Sequence, residues 1–149
     1  VTAAKLGKES VTLAKLGPEV APLLGTLKAG QTLRGVFDVG GGSDAAATEA
    51  LARGAVSFQF PLLGAPAVTV LKKGETNANC AGLGGGQTPQ ATAGNLCVYI
   101  TESSNVDEAV TPLPLAVENS TRLGFGLALK AKEANKPFVA FGQWAVTAP

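Results

Sequence analysis

Cys80 and Cys97 are the residues of this chain best placed to do chemistry with one another. They bracket CAGLGGGQTPQATAGNLC, a segment rich in Gly, Thr, Gln and Pro that cannot fill a core and keeps a shape only if its ends are tied. The reaction expected of the pair is oxidation to a disulfide. Closing a loop of about 15 residues removes roughly 3 kcal/mol of chain entropy from the unfolded state, and such bonds persist in oxidising compartments. Two buried free thiols in a cytosolic protein are the alternative. A zinc site is not, because two Cys without His or a further Cys pair fall short of the four ligands a structural zinc takes.

Catalytic constellations are harder to assemble. Histidine is absent, which removes the commonest general base and the commonest transition-metal ligand. A nucleophilic Ser would then need a Lys partner, and no Ser-x-x-Lys occurs. Asp38, Asp44 and Glu49, and separately Asp107 with Glu108, are close in sequence, but neither set has the spacing of a calcium loop or of paired glycosidase carboxylates. They read as solvated turn residues. The runs Gly40 to Gly42 and Gly84 to Gly86 lack the strand before, the helix after and the Lys and Ser/Thr offsets of a phosphate loop. Asn119-Ser120-Thr121 matches an N-glycosylation acceptor and predicts an exposed loop there. No catalytic residue, cofactor or metal is expected, and the chain is read as a non-enzyme.

The elements that would carry these residues fall into two parts. Residues 1–29 form an arm: VTAAKLGKES is followed at once by VTLAKLGPEV, with seven identical positions. A unit that short cannot bury its own apolar side chains, so it requires a neighbour, and copies of itself are the nearest one. Val1, Leu6, Val11, Leu16 and Val20 are the residues expected to make that contact. Gly7, Gly17, Pro18, Pro22 and Gly25 interrupt any long helix, leaving extended segments or short helical turns.

Residues 30–149 read as one β domain. Leu33, Gly35, Phe37 and Val39 alternate with Thr32, Arg34, Val36 and Asp38, which marks a strand with one buried face. The same period predicts strands over Val56 to Phe60, Ala67 to Leu71, Leu96 to Thr101, Leu123 to Lys130 and Phe138 to Thr147. A weak helix is predicted over Ala45 to Arg53, and Pro112 and Pro114 make TPLPLAV an edge strand or crossing loop. Strands at short intervals between Gly, Asn and Pro clusters argue for an all-β antiparallel sandwich or jelly roll. Trp144 is expected to pack, in the core or between subunits. Val139 and Phe141, on the opposite face of the same strand, are exposed unless another copy covers them.

With 149 residues, 46% hydrophobic and 15% charged, the chain can bury one core plus an extension. Net charge is +1 and the basic residues form no stripe, so nucleic acid is not an expected partner. No apolar run approaches the roughly 20 residues that span a bilayer, so no membrane insertion is expected. Methionine is absent even at position 1, as expected of a chain processed from a longer precursor.

The stretches QTLRGVFDVGGG, AVSFQFPLLGAPAV, NANC through AGNLCVYITESSN, and the terminal GQWAVTAP together resemble a β-rich C-terminal domain of secreted, actinobacterial-type proteins that carry collagen-like or stalk repeats, a domain without a characterised activity. The VTAAKLGKES repeats resemble the short stalk repeats of phage tail fibres and trimeric surface proteins. The resemblance implies an extracellular or cell-surface location and a fibrous or trimeric structural role. The expected partner is therefore the chain itself, as homotrimer or filament. The alternative is a carbohydrate- or receptor-binding knob that contacts surface glycans through loops at residues 40–48 and 81–94.

Overall fold

The computed structural model describes residues 12, 15, 25–44, 50–81, 88–107 and 115–149. Seven strands lie in them: β1 (Thr32–Gly42), β2 (Leu51–Ser57), β3 (Ala67–Leu71), β4 (Asn95–Ser104), β5 (Ala116–Thr121), β6 (Gly124–Lys130) and β7 (Pro137–Thr147). They form two sheets, ordered β1-β7-β4-β3 and β2-β6-β5. The chain is therefore an all-β sandwich. Its described strands are four over three, whereas jelly-roll winding takes eight.

The period-two reading locates the core. On β1, Leu33, Phe37 and Val39 are buried while Arg34, Val36 and Asp38 are exposed. On β6, Phe125, Leu127 and Leu129 are buried, and on β7 the even-numbered residues from Phe138 to Val146 point inward. Between the sheets Trp144 packs on Phe58 and Phe125, with ring centroids 5.5 and 5.9 Å away. Gly35 faces Trp144 across the β1–β7 ladder, and a Cβ there would sit 2.7 Å from the indole ring. The glycine is thus required by the size of the tryptophan.

Four expectations are corrected. The first sheet is not wholly antiparallel, because β3 pairs parallel to β4. Parallel neighbours need a crossover, and here it is the disulfide-tied connection from Leu71 to Asn95. Leu51 to Arg53 are strand, not helix, as they pair with Leu129 to Lys130 and Ala128 of β6; residues 45–49 lie outside the described residues. The Asn119-Ser120-Thr121 sequence ends strand β5 instead of sitting on a loop, with Asn119 exposed at φ 50° where the pairing to β6 is irregular. Finally, the sandwich begins before Gly30: Leu27 is buried in the core and its N–H donates to the Pro61 carbonyl at 2.9 Å.

Candidate assembly surface

Sheet β1-β7-β4-β3 has an outer face whose two ends are finished differently. Toward the start of β4 it is covered. Cys97 and Tyr99 point outward there, yet both are buried, because the crossover folds over them with Cys80, Leu71 and Ala91. Cys80 and Cys97 form a disulfide, which fits a non-reducing environment. Polar contacts complete the cover. The Tyr99 hydroxyl lies between the Gln90 and Ala81 carbonyls, 3.1 Å from the latter. Arg34 Nε donates to the Pro89 carbonyl at 2.7 Å, and a second guanidinium nitrogen reaches Gln90 Oε1 at 3.2 Å. Thr147 Oγ1 donates to the Ala91 carbonyl at 2.8 Å and accepts from the Thr32 hydroxyl at 2.7 Å. Burial disfavours the charged phenolate and raises the Tyr99 pKa above 10.0.

Further along the same face the sheet is bare. Val36 is 76% exposed and Phe141 38% exposed. With Asp38, Thr101 and Gln143 they line a shallow hollow of about 430 Å³. A bulge in β4 between Ile100 and Glu102 brings Glu102 opposite Phe141 on one side, while Asp38 of β1 pairs with it on the other. The bulge presses β4 on β7 so closely that a Cβ on Gly142 would lie 1.9 Å from the Tyr99 carbonyl oxygen. Phe141 is thus an aromatic ring set between two strands that each carry a carboxylate beside it.

The residues expected to mediate assembly are distributed as follows. Val1, Leu6, Val11, Leu16 and Val20 lie outside the described residues. Of the arm, Thr12, Lys15 and residues 25–29 are described; Thr12 and Lys15 are exposed, and the Lys15 N–H donates to the Thr12 carbonyl at 2.9 Å. Val139 and Phe141 share the outer face, half-buried and exposed respectively. Trp144 leaves this set: it sits on the inward side of β7, 5% exposed, where only its own sandwich can reach it. Val36 was hidden from sequence reading because it stood on the polar side of the β1 alternation. The signal that could have found it is its apolar type between Arg34 and Asp38.

The chain enters and leaves the sandwich at one pole. Gly30 N–H donates to the Ala148 carbonyl and Ala148 N–H to that of Gln31, both at 3.0 Å. A hollow of about 280 Å³ lined by Leu27, Gln31, Thr32, Leu33 and Phe60 opens there, at the root of the arm. The opposite pole is sewn by side chains. Ser43 Oγ lies 2.9 Å from the carbonyls of both Glu133 and Lys136, and the Asn105 side chain donates to the Glu133 carbonyl at 3.0 Å and accepts its N–H at 2.9 Å. The Lys136 ammonium, hydrogen-bonded to Glu133, holds that carboxyl below the usual glutamate range. Of the loops at residues 40–48 and 81–94, residues 45–48 and 82–87 lie outside the described residues, and the described parts stand apart. Gly42 and Ser43 belong to this second pole, and residues 88–94 lie against the start of β1 and the end of β7, separated by the length of β1, roughly 33 Å at about 3.3 Å per residue.

Among the described residues no group of three His, Cys, Asp or Glu side chains is placed to hold a metal ion. Asp38 and Asp44 fall on the strand and beyond its end, Asp107 donates its N–H to the Lys130 carbonyl, and Glu49 and Glu108 lie outside the described residues. No described helix is long and apolar enough to cross a membrane. Among known proteins, no family model, curated protein or solved structure matches the chain.

Proposed function

We propose that this chain is a non-catalytic structural subunit of an extracellular fibre or homotrimeric surface appendage, self-assembling through its N-terminal arm. The observation that carries the reading is the duplicated decapeptide, whose valines and leucines have too little company within one unit to be buried. Two features of the sandwich support it. The arm joins the body through a buried residue, Leu27, so force on the arm is passed directly to the core. The chain enters and leaves the sandwich at one pole, where Gly30 and Gln31 meet Ala148, which leaves the rest of the body free to project from a stalk or a filament axis. The disulfide suits an oxidising exterior.

Light scattering and negative-stain imaging of the intact chain beside a version carrying Leu6→Asp and Leu16→Asp test the reading. Assemblies of the intact chain should fall apart in the variant while its thermal unfolding stays the same. Equal masses for the two would sink it.

A further inference from the structure

Among the described residues the outer edge of β1 is unpaired, and its sequence is complementary to itself. β1 runs eleven residues beside β7 without a break in register, and no described strand lies on its other side. Long edges of this kind are normally blunted by Lys, Pro or a bulge. Of the two edges of the second sheet, β2 is seven residues long, and β5 follows Pro112 and Pro114 and carries an irregularity between Glu118 and Thr121. β3 is only five residues long. β1 is the longest of these edges and has no Lys, Pro or bulge, and its two charges, Arg34 and Asp38, are of opposite sign.

The ladder fixes which β1 groups are available. Ala148 N–H donates to the Gln31 carbonyl and Ser43 N–H to that of Lys136, so odd-numbered residues at both ends of β1 turn their backbone toward β7. With the register unbroken between them, Thr32, Arg34, Val36, Asp38 and Gly40 turn theirs toward the open edge. The same even-numbered residues place their side chains on the outer face.

We propose that a second copy of this chain docks here, β1 against β1 in antiparallel orientation about a twofold axis at Val36. In that register Val36 meets its own copy, Thr32 meets Gly40, and Arg34 meets Asp38 twice over. The edge amides and carbonyls are satisfied in pairs, and the two four-stranded sheets become one of eight strands. Asp38 is exposed and has no hydrogen-bond or ion-pair partner among the described residues. Arg34, with five N–H groups, keeps donors beyond those given to Pro89 and Gln90. The charges also disfavour the registers with the axis at Arg34 or at Asp38, and with the axis one residue to either side the two Arg34–Asp38 pairs are lost. Moving the axis two residues one way sets Arg34 against its own copy, and two residues the other way sets Asp38 against its own, and like charges directly opposite repel. The interface is isologous and uses no residue of the arm, so it stands whether or not the arm assembles.

Sedimentation equilibrium on the full chain carrying Leu6→Asp and Leu16→Asp isolates this contact from the arm. A concentration-dependent dimer is expected. Arg34→Asp and Asp38→Arg, each added singly, should weaken it by about tenfold or more, since two symmetric pairs become repulsive at once. An equimolar mixture of the two single variants should form a heterodimer, and the double exchange in one chain should restore the homodimer. Asp38→Arg breaks no hydrogen bond or ion pair among the described residues, and its unchanged thermal unfolding separates lost docking from lost folding. A monomer at every concentration, single variants that dimerise like the parent, or a mixture that stays monomeric would each overturn the proposal.

Discussion

On its inner face the four-stranded sheet meets the second sheet through aromatic and aliphatic side chains, centred on Trp144, Phe58 and Phe125. On its outer face, near the start of β4, it is met by a segment with hardly an apolar side chain, held by one disulfide and a set of hydrogen bonds to backbone carbonyls. The two coverings bury their residues equally well: Leu96 and Cys97, neighbours on opposite faces of β4, are both fully buried. The inner covering draws on the hydrophobic effect and shape, and it needs only an alternating pattern. The outer one needs a cross-link, because Gly, Thr, Gln and Pro cannot repay the entropy of their own ordering. Where the crossover ends the face is open, and Val36 and Phe141 lie on the surface.

The comparison breaks most sharply at Trp144. Truncating it to Ala should cost about 3–5 kcal/mol, measured as the shift of a urea unfolding midpoint. Its indole N–H makes no hydrogen bond among the described residues, so the ring contributes by shape, and Trp144→Phe should recover much of the loss. Replacing Cys80 and Cys97 by Ser should cost about 3 kcal/mol. Amide exchange should then rise in residues 88–94 and at Tyr99 but not at Leu127 or Phe125. Equal exchange on both faces would show that the outer covering does not depend on its cross-link.

Tyr99→Phe removes the hydroxyl that holds the Gln90 and Ala81 carbonyls and should cost about 1 kcal/mol. It also carries a pH signature. A phenol whose pKa is raised by folding adds stability that is fully present below 10.0, its ordinary value, and is lost as pH rises through the raised one. The parent should therefore weaken in strong alkali more steeply than Tyr99→Phe, and matching alkaline unfolding curves would rule this out. The smallest effect belongs to the bare part of the face. Phe141→Ser should change the unfolding midpoint by at most about 1 kcal/mol, which would separate a residue that faces outward from those the chain covers itself.

Much of the sandwich was legible because burial on one side of a strand leaves a period of two. Leu33, Phe37 and Val39 on β1, and Phe125, Leu127 and Leu129 on β6, were read from that period and lie in the core. The disulfide was legible from the composition between its cysteines. β4 was read only in part: Leu96, Val98 and Ile100 alternate with Cys97 and Tyr99, yet all five are buried, because a loop far along the chain covers the second face. β2 was misread over Leu51 to Arg53, where Ala-rich sequence favours a helix and pairing with β6 overrides it. Trp144 and Phe141 are both aromatic residues of one strand, and only parity against a fixed sheet tells which of them faces outward.

By itself the sequence determined an all-β chain with a duplicated decapeptide, a tied loop and alternating strands, since each of these is written in residues close together. Tertiary structure decided the parallel β3–β4 pair, the burial of Tyr99, the pairing of Gly35 with Trp144 and the open edge that sets Arg34 and Asp38 along one line. The physical reason is range: a period or a composition is a property of neighbours in the chain, whereas cover, register and edge depend on which distant strand lies alongside.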